Sequence, residues 1–327
     1  MNNAGFKNSE LDFYIGEEAE KHQKTHNLRY LLRSGQVQDW EGIEKFWHRS
    51  IYSYLRCEPE EHRFILTEPP MNTPENREQM AEIMFETFGV KGLFIGVQAT
   101  LALYAQICGP NSGGLDQDLS SMTGTVIDSG DGVTHVFPVC DGFVIGSCVK
   151  HIPLAGRDIT KFTLQSLKDR GEKYPPEDSN EIAMKIKEKY GYVCKDVLKE
   201  YSKFDEKETD ENGKLVQSSK FKTLNLRTIN GNNVELDVGY ERFLGPEMFF
   251  HPEFVHADWR KPLEEVVDES IQSCPITYRV QLYKNIVLSG GSTLFKGFDN
   301  RLQSQLQKRV DNRMAVSNKV TGGNDSI

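Results

Sequence analysis

Four consecutive residues, Ser129-Gly130-Asp131-Gly132, follow an aspartate at position 128 and lie between two runs of strand-forming residues. Val126 and Ile127 are β-branched, and residues 133–139 resume with Val133, Thr134, Val136 and Val139. This pattern predicts strand, glycine-rich turn, strand. Glycine tolerates positive φ and has no Cβ, so such a turn can aim successive N–H groups into one concavity and let a polyphosphate approach the backbone. A carboxylate at the strand end, Asp128, suits a hydrated magnesium ion, which keeps most of its waters and needs only one or two protein carboxylates. No Gly-Lys-Ser/Thr follows and the turn leads to a strand, so this is neither a Walker loop nor a dinucleotide fingerprint. The same residues also read as an ordinary hairpin closed by an Asp-Gly turn.

Other stretches offer related chemistry. Gly156, in Leu154-Ala-Gly-Arg-Asp158, precedes a helix for which Asp158 is the expected cap. A helix start there favours a phosphate, although a glycine in that place also serves close packing. Ser289-Gly290-Gly291-Ser292 follows the apolar run Ile286-Val-Leu288 and precedes a helix marked by Phe298, Leu302 and Leu306. Bare backbone at a strand-to-helix junction is where open α/β sheets hold ligands. Two such junctions favour the nucleotide reading over the plain hairpin. Gln98 lies at another junction, where a neutral amide could orient a water or simply satisfy helix-terminal N–H groups. Lys187 and Glu188 lie off the apolar stripe of their helix; they could bracket a ribose or base, or form a solvated face.

The elements that must hold these residues follow from periodicity. Asp39 caps a helix carrying Ile43, Phe46, Trp47, Ile51 and Tyr54. Residues 64–67 form a strand that Pro69 and Pro70 stop, and Thr73 with Pro74 opens a helix lined by Met80, Met84 and Phe88 and ended by Gly89. A strand over 93–97 and a helix over 98–108 continue the alternation, which implies parallel strands with crossovers. The Gly/Ser/Asp-rich residues 111–121 make the best boundary between two halves. Beyond it, residues 143–149 read as a strand, Asp178 and Glu181 as a capping box, and 204–213 as an acidic surface insertion. Residues 224–228 and 234–238 form a hairpin around Asn230-Gly231, and 262–273 a helix. The first 36 residues read as a loop-rich lead-in with a short strand over 12–15.

With 327 residues, 38% hydrophobic and 27% charged, the chain is long enough for two domains with a sizeable core. A net charge of -9 argues against a nucleic-acid partner held through phosphates. The six cysteines are scattered without a C-x-x-C pair, which suits reduced thiols better than a disulfide frame or zinc site. No apolar run approaches the roughly 20 residues of a membrane span, and the N-terminus has no hydrophobic signal core. A soluble cytoplasmic protein without membrane insertion is the expectation.

The hairpin 128–135, the 154–158 turn and Leu288-Ser-Gly-Gly291 together resemble the actin superfamily, and the resemblance runs from about Leu11 to Arg313. It implies an α/β, actin-like (ribonuclease H-like) fold of two lobes around a nucleotide cleft. Residues 1–115 would be a partial first lobe, and 116–327 a second lobe with an insertion around 174–262. It further implies ATP and Mg²⁺ as cofactors, with Asp128 holding the hydrated metal and Ser129, Gly130, Asp131, Gly132 and Gly156 binding phosphates. Lys187, Glu188, Gly290, Gly291 and Phe295 would contact the nucleoside. Gln98 and His135 would position the attacking water, and an imidazole is suited to relaying its proton.

In this family hydrolysis is slow and acts as a conformational switch. The resemblance implies a subunit of a multisubunit complex that nucleates branched actin filaments by mimicking a filament end. Its partners would be a second actin-related protein, the remaining subunits, actin and nucleation-promoting factors, and its place the actin cytoskeleton, including cell projections. Three departures accompany it: the family's first phosphate hairpin and its closing segment are not among these 327 residues, and Ser34 stands where actin has histidine. They predict weakened ATP binding and leave open a structural subunit that binds partners without nucleotide. Sugar kinases and Hsp70-type ATPases share the hairpin-based site, but neither a sugar pocket nor a substrate domain is legible.

Overall fold

The computed structural model describes residues 13–22, 25–33, 35–108, 122–205, 208–209, 215–216, 220–228, 231–255 and 258–321. It divides into two compact units, Met1–Gly96 and Val97–Ile327. The expected boundary loop at 111–121, position 34 and most of the acidic insertion lie outside the described residues.

In the first unit, α1 (Glu17–Lys21) precedes a small antiparallel hairpin of β1 (Leu32–Arg33) and β2 (Gln36–Val37) that the periodicity did not announce. Residues 13–15 carry no strand. Helix α2 (Trp40–Arg49) starts as expected, with the Asp39 carboxylate accepting from the Gly42 N–H at 3.1 Å, and continues as a π-helical turn, Ser50–Leu55. A π turn advances the chain differently from an α turn. Ile51 stays buried while Phe46 and Tyr54, expected on the same stripe, are exposed. Strand β3 (Arg63–Glu68) pairs with β4 (Gly92–Val97). Between them α3 (Pro74–Glu82) begins with Thr73 accepting from the Asn76 N–H at 3.3 Å, and Gly89 at φ +60 takes the left-handed turn that follows its π-helical end. Ile51, Ile83, Met84, Phe88 and Val90 form this unit's core with Trp40, Trp47, Phe64 and Leu66.

The second unit opens with α4 (Gln98–Cys108) and centres on a five-stranded sheet. Its strands are β5 (Gly124–Ser129), β6 (Thr134–Cys140), β7 (Phe143–Val144), β8 (Lys150–Ile152) and β13 (Ile286–Ser289). β13 lies parallel to β5; β5 and β6 are antiparallel, and β6 also pairs with β7 and β8. The β5–β6 hairpin is buried on both faces. Val126, Phe137 and Val139 pack with Ala99 and Leu103 of α4. On the other side, Ile127 and Val136 meet Val266, Val267 and Ile271 of α9 (Leu263–Ser273) and Phe298, Leu302 and Leu306 of α11 (Phe298–Thr321).

The remaining elements are α5 (Gly156–Asp169), α6 (Ser179–Tyr190), α7 (Val197–Asp205), β9 (Glu208–Thr209), β10 (Leu215–Val216), β11 (Lys222–Arg227), β12 (Asn233–Val238), α8 (Glu241–Glu247) and α10 (Ile276–Lys284). β11 and β12 pair antiparallel as expected and pack Leu224, Leu226, Val234 and Leu236 onto Leu167, Ile182 and Ile186 of α5 and α6; residue 230 of the expected turn lies outside the described residues.

Several expectations give way to tertiary partners. The predicted strand over 143–149 is two residues of β7 followed by a 3-10 turn, Gly146–Cys148, whose Cys148 carbonyl accepts the Ser270 hydroxyl of α9 at 2.7 Å. Asp158 lies in the first turn of α5, accepting from the Ala155 N–H at 3.2 Å, so Ala155 occupies the cap position. Asp178 makes no capping bond; its carboxylate accepts the Asn232 side-chain amide at 2.8 Å, joining α6 to the β11–β12 hairpin. Phe204, assigned to an exposed insertion, is buried with Phe243 and Cys194.

Candidate functional site

The sheet register sets the chemistry-bearing side chains in one row. Asp128 pairs with Ser289 of β13 on one side and His135 of β6 on the other, and His135 pairs with His151 of β8. Directly opposed residues share a face, and alternation along the strands puts Asp128 and His135 on the face of Val126 and Phe137, which α4 covers. Gln98 is the exposed first residue of α4. Asp128 is half-buried, and its carboxylate has neither hydrogen bond nor ion pair among the described residues. His135 is 9% exposed, and burial above all, with the neighbouring His151 second, lowers its pKa to about 4. It is therefore a neutral imidazole at neutral pH.

The loop after Asp128 is clamped by its carbonyls. The Gly130 carbonyl accepts the Gly156 N–H at 3.0 Å and the Ser292 hydroxyl at 2.7 Å, and the Asp131 carbonyl accepts the Arg157 N–H at 2.8 Å. The exposed Asp131 carboxylate pairs with the Arg157 guanidinium at 2.9 Å. Thr134 donates its hydroxyl to the Leu154 carbonyl at 2.7 Å, so the buried Ser129 hydroxyl, 2.6 Å away, must donate to Thr134. The Ser129 hydroxyl thus has no proton left to donate to a phosphate. The N–H groups of Gly130, Asp131 and Gly132 bond no backbone carbonyl among the described residues. Built Cβ atoms at Gly130 and Gly132 would meet only open space.

Around this loop the glycines have different reasons. Gly156 is needed for close approach: a Cβ there would lie 2.8 Å from the Ser292 hydroxyl and 3.1 Å from the Gly130 carbonyl oxygen. Its N–H is held by Gly130, so the close-packing reason accounts for it. Gly290 has φ +86, and a Cβ would lie 2.6 Å from the Ser129 carbonyl carbon and 2.9 Å from its nitrogen. Gly291 begins a 3-10 turn and meets open space. Lys187 is half-buried and donates to the Gly156 carbonyl at 3.2 Å, whereas Glu188 is exposed. The Phe295 ring lies against Gly191 at the end of α6, where a Cβ would fall 2.6 Å from it.

One locality therefore contains Asp128, residues 129–132, Gly156, Lys187 and Gly290, with His135 one strand across. Three contributors escaped the sequence reading. Ser292 was visible only as part of a glycine-rich run, Arg157 only as a helix-start residue, and His151 gave no signal, because its place depends on a β6–β8 pairing that no local pattern encodes.

The arrangement fits a polyphosphate with a hard cation. Unbonded loop N–H groups beside open space make an anion cradle, and an unpaired, half-buried carboxylate needs a counter-charge. Among the described residues no three His, Cys, Asp or Glu side chains gather to hold a metal. A cation at Asp128 would thus take its other ligands from water and the anion, as Mg²⁺ does. No described helix is long and apolar enough to cross a membrane.

Comparison with known proteins gives the same family as these motifs. The family model described as Actin matches residues 2–324. Actin-related protein 3 of Dictyostelium discoideum is 50% identical over 315 residues, which cover 96% of this chain and 72% of that protein. Actin-related protein 3 of Acanthamoeba castellanii is 53% identical over 320 residues, 98% of this chain and 72% of its own length.

Proposed function

The chain belongs to the actin family, and from that premise we propose that its second unit binds ATP with Mg²⁺ and that it serves as an actin-related subunit of the actin-related protein 2/3 complex. Asp128 would hold the hydrated cation, and the N–H groups of Gly130, Asp131 and Gly132 the outer phosphates. Lys187, Glu188, Gly290, Gly291 and Phe295 would line the nucleoside side. The cation would screen the charge of the phosphates. Gln98 and the neutral His135 orient a water, and His135 can accept its proton because its ring is uncharged at neutral pH. The observation that carries this reading is an Asp128 carboxylate that has no partner among the described residues, beside a loop whose N–H groups bond no carbonyl among them.

Slow hydrolysis then acts as a switch, and the main task is templating: with actin-related protein 2, the other subunits, actin and nucleation-promoting factors, the chain would mimic a filament end in the cytoplasm and at cell projections. Similarity to actin-related protein 3 over nearly the whole chain supports this assignment. Equilibrium binding of magnesium-ATP to the wild-type chain and to Asp128→Ala tests it. The variant is expected to bind at least a hundredfold more weakly, about 2.7 kcal/mol or more. Equal binding by both removes Asp128 from the site, whereas no binding by a folded wild-type chain removes the nucleotide reading and leaves a structural subunit.

A further inference from the structure

The row across the sheet contains one ionisable side chain to which no role has been given. His151 lies opposite His135 in the β6–β8 register, with ring centroids 4.5 Å apart and planes at 80°. We propose that His151 is a positioning residue for His135: standing edge-to-face against the buried imidazole, it fixes the tilt at which that ring meets its water. The proposal rests on reading this site as an ATP-hydrolysing one.

The His135 ring makes no hydrogen bond among the described residues, so no polar partner sets its torsion. Two rings do so instead. Phe137 lies 5.1 Å away at 31° and is 1% exposed, and His151 supplies a second wall from the neighbouring strand. That wall is firm although β8 has three residues. Ile152 is 2% exposed, pairs with Thr134, and lies two residues before the Leu154 carbonyl that accepts the Thr134 hydroxyl at 2.7 Å. A χ2 torsion of the imidazole type is broad and roughly two-fold, so packing must choose its angle.

The surroundings also explain why the wall can be a histidine. His151 is exposed, so its nitrogens can face water. Among the described residues, the strand register sets Asp128 on β5 and His151 on β8 beside His135. Helix α4, which covers this face, carries no charged residue. The charge that His151 acquires on protonation opposes protonation of His135, adding to the effect of burial.

The test uses the 327-residue chain with His151→Ala, which removes the wall, and His151→Phe, which keeps a ring without the charge. Steady-state hydrolysis of magnesium-ATP is followed from pH 6 to 8.5, and the His135 ring is titrated by NMR. His151→Ala should lower kcat about tenfold with little change in KM, since small misplacements of a catalytic group cost one to two orders of magnitude. His151→Phe should recover most of that kcat, and both variants should move the His135 midpoint upward. Unchanged kcat in His151→Ala, or equal losses in both variants, overturns the proposal. Absence of hydrolysis in the wild-type chain overturns the ATPase reading instead, and the titration then still decides whether the two rings are coupled.

Discussion

Burial and His151 hold the pKa of His135 near 4, so protonating this ring and folding the chain oppose one another. The sign follows directly. The unfolded imidazole takes its proton near pH 6.5 while the folded one resists until about pH 4, so stability is lost as pH falls through that window. The loss reaches about 3–3.5 kcal/mol when complete. Urea unfolding at pH 7.5 and pH 4.5 should therefore show a larger acid loss for wild type than for His135→Gln, which has nothing to protonate there. Equal losses would mean that the folded ring titrates normally. At this scale the sequence displayed the residue types and concealed their reasons. Gly156 and Gly290 look alike in a string, yet Gly156 is squeezed by Ser292 and the Gly130 carbonyl, whereas Gly290 needs positive φ and lies against the Ser129 backbone. The Ser129 hydroxyl, beside the candidate cradle in sequence, is committed to Thr134.

Elements were legible wherever local chemistry decides them. Asp39 and Thr73 cap their helices, Asn230-Gly231 precedes β12 at the predicted hairpin, and β5 and β13 are the apolar runs that periodicity marks. Two failures trace to a polar group whose partner is remote in sequence, the Asp178 cap and the strand expected over 143–149. Asp178 resembles a capping residue but accepts from Asn232, 54 positions away. Helix α8 ends through Gly245 and Pro246, residues that punctuate loops elsewhere. It is held by burial, and its last residue, Glu247, is joined to α11 by Arg301 at 2.8 Å, with both side chains buried. Burial pushes the Glu247 carboxyl upward and Arg301 opposes that shift. Removing one partner of such a pair leaves an uncompensated buried group. Arg301→Leu should cost about 3–5 kcal/mol, and adding Glu247→Leu should recover much of it. Chemical denaturation of the two single variants and the double variant checks this; a double variant as damaged as the sum of the singles would show that the pair is not coupled.

For the molecule as a whole, every described candidate residue belongs to the unit Val97–Ile327. Magnesium-ATP should accordingly slow amide exchange at residues 128–135, 155–158 and 289–292, and Asp128→Ala should abolish the effect. Exchange unchanged in all three segments would place any nucleotide elsewhere. The sequence by itself determined the family, the α/β character, two of the four expected helix caps, and the glycine-rich loops. These depend on residue type within a few positions, where sterics and local hydrogen bonds act. Only the tertiary structure decided which side chains face one another. It set Ser289, Asp128, His135 and His151 in one row, turned the Gly130 and Asp131 carbonyls onto α5, and gave Ser292 and Arg157 their roles. Strand register and close backbone approach arise from packing between segments up to 162 residues apart, and no local pattern records them.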